Sequence, residues 1–318
     1  MKYYLEFEEP IKLLDEKIHI KESILEKSSE LTKELALLHE DRLKLINKIH
    51  LNLTRWQRVQ LARHPERPYA LDYINLIFLD FMEIHGDRLF ADDPAVVAGF
   101  AKIGDKKVAI IAQQKGRNTK ENLYRNFGMM KPEGYRKALR IMKLAEKFKI
   151  PIITLMDTPG AFPGIGAEER GQGEAIAKNL IEMSAMMVPI ISVVIGEGAS
   201  GGALGIGVCD KFLMMQNSWY SVISPEGCAS ILFRDASKAE EAAEALKVTP
   251  DDMVNIGVCD VVISEPNGGA HRDPKSSARN LELALLEGLS EFSSINPDMF
   301  IDKRIERYDA MGVFEDGK

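Results

Sequence analysis

The sequence is poor in the residues that carry several familiar chemistries. Its 318 residues include three cysteines, Cys209, Cys228 and Cys259, far apart and in no CxxC or His-x-His spacing. That argues against a disulfide framework and against a zinc site built by this chain, and it suits a reducing compartment. Long apolar runs are also missing. Each is broken by glycine or charge well short of the roughly 20 residues a membrane helix needs, and the acidic opening Met1-Lys2-Tyr3-Tyr4-Leu5-Glu6-Phe7-Glu8-Glu9 does not read as a signal peptide. We therefore expect a soluble, cytoplasmic protein. Positive charge is in deficit: a formal net charge of −7 leaves no broad basic surface, so nucleic acid and anionic lipid are not expected as main partners.

What is present is enough apolar material for a full core, 45% of the residues, in one large domain or two small ones. From Ile11 to about Leu53 the apolar residues recur at helical spacing, first Ile11, Leu14, Ile18 and Leu25, then Leu31, Leu35, Leu38, Leu45 and Ile49. The phase breaks around Ser28-Ser29, which predicts two helices or one kinked helix. We divide the chain into an N-terminal helical arm, 1–66, and a main domain, 67–318. The arm either packs on its own domain or grips another subunit; both can hold.

After the prolines at Pro65 and Pro68 the pattern changes. A helix is predicted over Leu71 to Ile84. Strands are predicted at Val96–Ile103, Val108–Gln113, Ile150–Met156, Ile190–Ile195, Phe212–Met215, Tyr220–Ser224 and Val258–Ser264. Helices are predicted at Glu133–Lys149, Gly171–Met187, Asp251–Ile256 and Asp273–Ser293, with a fraying charged end after Asp302. Strands alternating with helices imply right-handed crossovers and a largely parallel α/β core covered on both faces.

Two segments stand out in that core. The first, Gly196-Glu197-Gly198-Ala199-Ser200-Gly201-Gly202-Ala203, follows a buried strand and reads as a glycine turn opening a helix. Such a junction offers bare backbone N–H groups to an anion or a developing oxyanion. Gly196-x-Gly198-x-x-Gly201 also fits the dinucleotide fingerprint, which needs an acid about 20 residues on. Phe212 to Ser218 holds none and Asp210 comes too early, so a nicotinamide or flavin site is disfavoured. A purely structural glycine turn remains open. The second segment, Met156 to Gly171, leaves a strand through a glycine- and proline-rich loop, where α/β folds bind ligands. Its Asp157-Thr158-Pro159-Gly160 resembles the magnesium-side motif of a GTPase, but no GxxxxGK[ST] exists to cradle phosphates. Glu168 and Glu169 read as helix N-terminal carboxylates before catalytic ones. His271, in the glycine loop 267–272, reads as a solvent-facing histidine on a possible flap.

Several blocks in order carry a resemblance. Asp157-Thr158-Pro159-Gly160-x-x-Pro163-Gly164-x-x-Ala167-Glu168, the Gly196–Ala203 stretch and Ser224-Pro225-Glu226-Gly227-Cys228-Ala229 resemble the biotin-dependent carboxyltransferases of the crotonase superfamily. Leu61-Ala62-Arg63-His64-Pro65-x-Arg67-Pro68, Gln114-Lys115-Gly116-Arg117, Asn126-Phe127-Gly128-Met129 and Pro132-Glu133-Gly134-Tyr135-Arg136-Lys137-Ala138 are similar to the carboxyltransferase alpha subunits of bacterial acetyl-CoA carboxylase. The resemblance covers nearly the whole chain, least closely over Ile11 to Glu30.

It implies a crotonase-like α/β superhelix of βα units behind a helical arm. It implies transfer of a carboxyl group from carboxybiotin, borne by a biotin carboxyl carrier protein, to acetyl-CoA, giving malonyl-CoA for fatty acid synthesis. A beta subunit would carry a zinc ribbon and most of the CoA site in a two-alpha, two-beta assembly; no metal is expected on this chain, and ATP would be used by a separate biotin carboxylase component. The backbone N–H groups of Gly201 and Gly202 would stabilise the enolate-like oxygen that forms on biotin. Gly160, Ala161, Phe162, Gly164, Gly198 and Ser200 would line the substrate site, with Lys115 and Arg117 meeting CoA phosphates or the carrier, or else forming a solvated loop. No side-chain base is required, because biotin freed of carbon dioxide can take the methyl proton, which agrees with the lack of a Ser-His or Cys-His constellation. Gly202→Val is expected to cripple turnover and leave assembly intact. The alternatives are a stand-alone acyl-CoA hydratase or isomerase of the same fold, and a non-catalytic nucleic-acid-binding or scaffold protein.

Overall fold

The structure, a computed structural model, describes residues 3–24 and 28–312. At its centre is one eight-stranded mixed sheet: β1 (Leu79–Glu83), β2 (Val96–Ile103), β3 (Lys106–Gln113), β4 (Ile152–Thr158), β5 (Ile190–Ala199), β6 (Lys211–Met215), β7 (Trp219–Ser221) and β8 (Val261–Ile263). The order is β1-β2-β3-β4-β5-β6-β8, with β7 beside the far end of β5. The strands from β3 onward pair in parallel; β1, β2 and β3 pair antiparallel.

The strands read as continuous apolar runs because both faces are buried. Alternation along each strand sends Ala109, Ile111, Ile152, Met156, Ile190 and Val194 to one face, covered by helices Pro132–Lys147 and Gln172–Ser184. Val108, Ile110, Ile153, Leu155, Ile191 and Val193 go to the other, covered by helices Ala70–Ile77 and Pro274–Phe292. Each such side chain contributes roughly 1.5–3 kcal/mol by leaving water. The hydroxyls that β4 and β5 place in this core, Thr154 and Ser192, bond one another at 2.8 Å.

The arm forms two helices, Glu9–Glu22 and Ser29–His50. The second is capped by Ser28, whose hydroxyl accepts from the Leu31 N–H at 3.1 Å. The helices run antiparallel, tied by Lys21–Glu34 and Arg42–Asp15; Leu25, counted in the first apolar phase, lies outside the described residues. Helix Arg55–Ala62, on the arm side of the expected boundary, packs Val59 and Ala62 against Ala199 and Trp219.

Two expectations need correction. The helix predicted to Ile84 stops at Ile77, and the chain turns into β1, an edge strand whose ladder with β2 no local pattern announces. Just beyond Asp302 the chain is ordered as helix Phe300–Asp309, fixed by Arg304, whose guanidinium bonds Asp210 at 2.7 Å and the carbonyls of Met183, Met186 and Val188; the last six residues lie outside the described ones. The largely parallel core is as expected, five parallel strand pairs with an antiparallel edge of two. Among the described residues no helix is long and apolar enough to cross a membrane.

Candidate active site

β5 does not end at Ile195. Gly196 to Ala199 stay extended and Glu197 to Ala199 pair with β7, Gly198 opposite Tyr220, so the turn into the helix falls at Ala199-Ser200. Ser200, exposed, takes φ +58, and the five-residue helix Ser200–Leu204 begins. Gly201 and Gly202 stand in its first turn, where N–H groups have no intrahelical acceptor. Neither donates a hydrogen bond to any described residue.

The glycines here answer to close approach. A Cβ on Gly202 would stand 2.2 Å from the Gly160 carbonyl carbon and 2.5 Å from the Ala161 nitrogen. The strand-to-helix junction after β5 is therefore in backbone contact with the loop after β4. A Cβ on Gly196 would meet the Asp157 carboxylate at 2.5 Å. Any side chain at Gly202 displaces the Gly160-Ala161 backbone, so Gly202→Val strains the loop after β4 as well as the junction. Gly201 is different: the nearest atom to its Cβ would be Ile176 Cδ1 at 3.9 Å.

Beside this contact the carboxyl ends of β3, β4 and β5 bring charges together. Lys115 Nζ lies 2.6 Å from Asp157 Oδ1 and 2.7 Å from Glu197 Oε1. Arg63 Nε donates to Glu197 Oε2 at 2.6 Å, its other nitrogens pair with Glu226, and its guanidinium lies over the Trp219 ring. Burial would raise Glu197, but Lys115 and Arg63 outweigh it and hold its carboxyl at about 2. Burial likewise opposes charge on Lys115, and Asp157 with Glu197 reverse that and raise it. Lys115 and Glu197 stay ionised because each has a close partner. Arg63, Tyr69, Lys115 and Pro159 line a cleft of about 210 Å³ at this end of the sheet.

The structure thus brings Gly160, Ala161, Gly198, Ser200, Gly201 and Gly202 together. Phe162 and Gly164 continue the same loop: the Phe162 N–H donates to the Met130 carbonyl at 3.1 Å, and Gly164 precedes helix Ile165–Glu169. Lys115 is no solvated loop residue; its charge is spent on two carboxylates. Arg117 stands apart, paired with Asp72, bonded to the carbonyls of Pro65 and Arg67 and stacked over Tyr69. Glu168 and Glu169 are exposed. Sequence reasoning passed over Gln113, Asp157, Glu197 and Arg63 as working groups. The available signal was an acid closing each of two otherwise apolar runs.

His271 is not on a solvent-facing flap. It is 9% exposed, stacked on His64 with ring centroids 3.8 Å apart, below the arm's Glu8, which pairs with Arg272 at 2.6 Å. Burial first, then His64, lowers His271 to about 3. Glu8, His64 and His271 offer ligand atoms within 4.8 Å of one another. Two rings stacked at 20° cannot both aim in-plane lone pairs at one ion, and Arg272 already occupies Glu8, so the donors do not fit a metal. The cluster locks the arm to loop 267–272.

The chain matches the model of the family described as acetyl co-enzyme A carboxylase carboxyltransferase-like over residues 4–312. It is 54% identical over 327 residues to the acetyl-coenzyme A carboxylase carboxyl transferase subunit alpha of Chlorobium luteolum, covering 98% of each chain. It is 53% identical over 311 residues to the protein of the same name from Fusobacterium nucleatum subsp. nucleatum, covering 98% of this chain and 99% of that one. Among solved structures it superposes on transcarboxylase 12S with a TM-score of 0.59 at 22% identity, over 72% of this chain and 43% of that one. The chain therefore spans less than half of that structure's length. A Pseudomonas malonate decarboxylase hetero-tetramer in complex with coenzyme A gives 0.56 at 15% identity, over 69% and 88%. At these identities the likeness shows the fold, the crotonase-like α/β class expected from the motifs.

Proposed function

The chain belongs to the acetyl co-enzyme A carboxylase carboxyltransferase-like family, and from that membership we propose that it acts as the alpha subunit of a biotin-dependent acetyl-CoA carboxyltransferase. It works in a multi-subunit assembly in the cytoplasm, two alpha with two beta subunits, the beta chain bearing a zinc ribbon and most of the CoA site. Carboxybiotin, brought as substrate on a biotin carboxyl carrier protein, supplies the carboxyl group: its nitrogen–carbon bond breaks, that nitrogen takes a proton from the acetyl-CoA methyl group, and the methyl carbon bonds the released carbon, giving malonyl-CoA and biotin.

The observation that carries this reading is the pair of unspent amides at Gly201 and Gly202, packed at the strand-to-helix turn beside the Gly160-Ala161 backbone. These N–H groups fit an oxygen of the biotin ring as it gains negative charge. Preorganised donors of this kind are worth about 3–4 kcal/mol each in a dry site. Their placement is fixed before the ligand arrives, because the turn cannot relax without moving the loop after β4. Gly160, Ala161, Phe162, Gly164, Gly198 and Ser200 shape the same pocket from two sides. No base is asked of this chain: Lys115 and Glu197 are locked to one another.

The test is co-expression with a zinc-ribbon beta subunit, followed by transfer of the malonyl-CoA carboxyl group to a biotin derivative. The pair should turn over and neither chain alone should. An associated, folded and inactive pair overturns the assignment. Hydration of an enoyl-CoA by this chain without a partner would replace it with the hydratase reading.

A further inference from the structure

Lys115, Asp157 and Gln113 form a single hydrogen-bonded chain that ends on the glycine junction. β4 and β5 lose register there: Met156 pairs with Val194, but Thr158 pairs with Gly198, so two steps along β4 answer four along β5. An irregularity of this kind leaves backbone groups without ladder partners. The Asp157 carboxylate fills the gap, its Oδ1 accepting from the Glu197 N–H at 3.0 Å while Lys115 Nζ holds the same oxygen at 2.6 Å. The missing side chain of Gly196 is what admits that carboxylate.

The link continues through Gln113, at the end of β3 and fully buried. Its Oε1 accepts from the Asp157 N–H at 3.2 Å and its Nε2 donates to the Gly202 carbonyl at 2.7 Å, so its two partners fix the amide in one orientation. The Tyr135 hydroxyl donates to the same carbonyl at 3.3 Å. The Gly202 peptide is thereby pinned from its oxygen side, while the neighbouring amide hydrogens stay free. A largely buried lysine with two carboxylates at 2.6 and 2.7 Å has little capacity left for a ligand phosphate.

The geometry points to Lys115 and Gln113 as positioning residues for carboxyl transfer, acting through Asp157 and the Gly202 carbonyl to hold the Gly201 and Gly202 amides where the biotin oxygen gains charge. This rests on the proposed carboxyltransferase function. Displacements near 1 Å in such a site cost on the order of 100-fold in rate.

The experiment uses the complex co-expressed with the beta subunit and measures kcat and KM for malonyl-CoA with a biotin derivative, alongside thermal stability and assembly. Gln113→Leu and Lys115→Met are each expected to lower kcat about 10- to 100-fold with KM within twofold. The neutral pair Lys115→Met with Asp157→Asn keeps an acceptor for the Glu197 N–H and is expected to recover about tenfold over Lys115→Met alone. Should Lys115→Met fail to assemble, Gln113→Leu carries the comparison, and wild-type kcat in that variant overturns the proposal. A rise in KM at unchanged kcat for Lys115→Met also overturns it, making the lysine a ligand contact. An inactive wild-type complex removes the proposed function itself; an active one with unaffected variants removes only the positioning chain.

Discussion

Two of the molecule's buried or largely buried polar clusters solve the same problem in opposite ways. At the strand ends, Lys115, Glu197 and Arg63 keep full charges, paired with one another and with Asp157 at 2.6–2.7 Å. Under the arm, His64 and His271 give up their charge: His271 is held neutral down to about pH 3, and both its ring nitrogens lack partners. The difference follows from chemistry. A lysine or carboxylate cannot shed its charge at neutral pH without a shift of several units, so it is buried only with a partner, whereas imidazole needs only a small shift. The charged cluster lies where backbone must be held for chemistry, and the neutral one where an arm must be held to a domain.

The comparison breaks most visibly at Gly202. Gly202→Ala places a methyl 2.2 Å from the Gly160 carbonyl carbon; we expect more than about 100-fold loss of carboxyl transfer and about 1–3 kcal/mol of lost stability from overpacking, read by turnover and denaturant titration. Retained activity would mean the loop after β4 yields freely. Next is Arg67, which is fully buried and bidentate to Glu265 at 3.0 and 2.6 Å. Arg67→Met leaves Glu265 buried and unpaired, and should cost about 3–5 kcal/mol, seen as a large fall in Tm.

Acid separates the two clusters. The pKa of His271 falls from its ordinary 6.5 to about 3 on folding, so the unfolded chain binds more protons between those values. Its contribution is complete above pH 6.5 and is lost as pH falls toward 3, by at most about 1.4 kcal/mol per pH unit. Glu197, lowered from 4.5 to about 2, keeps its contribution down to pH 4.5 and loses it below. Stability between pH 6.5 and 4.5 should therefore fall through the histidines, and His271→Phe, which keeps a stacking ring and sacrifices no hydrogen bond, should flatten that limb of a Tm–pH curve. An unchanged limb would place the proton elsewhere. The smallest effect is expected from Gly201→Ala: its Cβ meets nothing closer than 3.9 Å and the N–H remains, so turnover should stay within a fewfold and stability within about 1 kcal/mol.

Much of the frame was legible from residues alone. The runs at Val108–Gln113, Ile150–Met156 and Ile190–Ile195 became β3, β4 and β5, because near-continuous apolar stretches bounded by turns suit strands buried on both faces. The Gly160 and Gly201-Gly202 blocks marked the two segments that meet. Leu79–Glu83 was not legible, since an edge strand owes its form to a partner nearly 20 residues away, and neither was His271, whose burial depends on an arm more than 200 residues earlier in the chain.

By itself the sequence determined which strands form the core, two glycine-rich segments whose backbones meet, and which family's motifs the chain carries, since these follow from local apolar pattern and the absence of side chains at glycine. Only the tertiary structure decided what the charged residues do. Lys115 could have faced a phosphate or solvent; it pairs with Asp157 and Glu197 because three parallel strands end side by side. A side chain's electrostatics are set by its neighbours in space, and those neighbours come from positions 42 and 82 residues further along the chain.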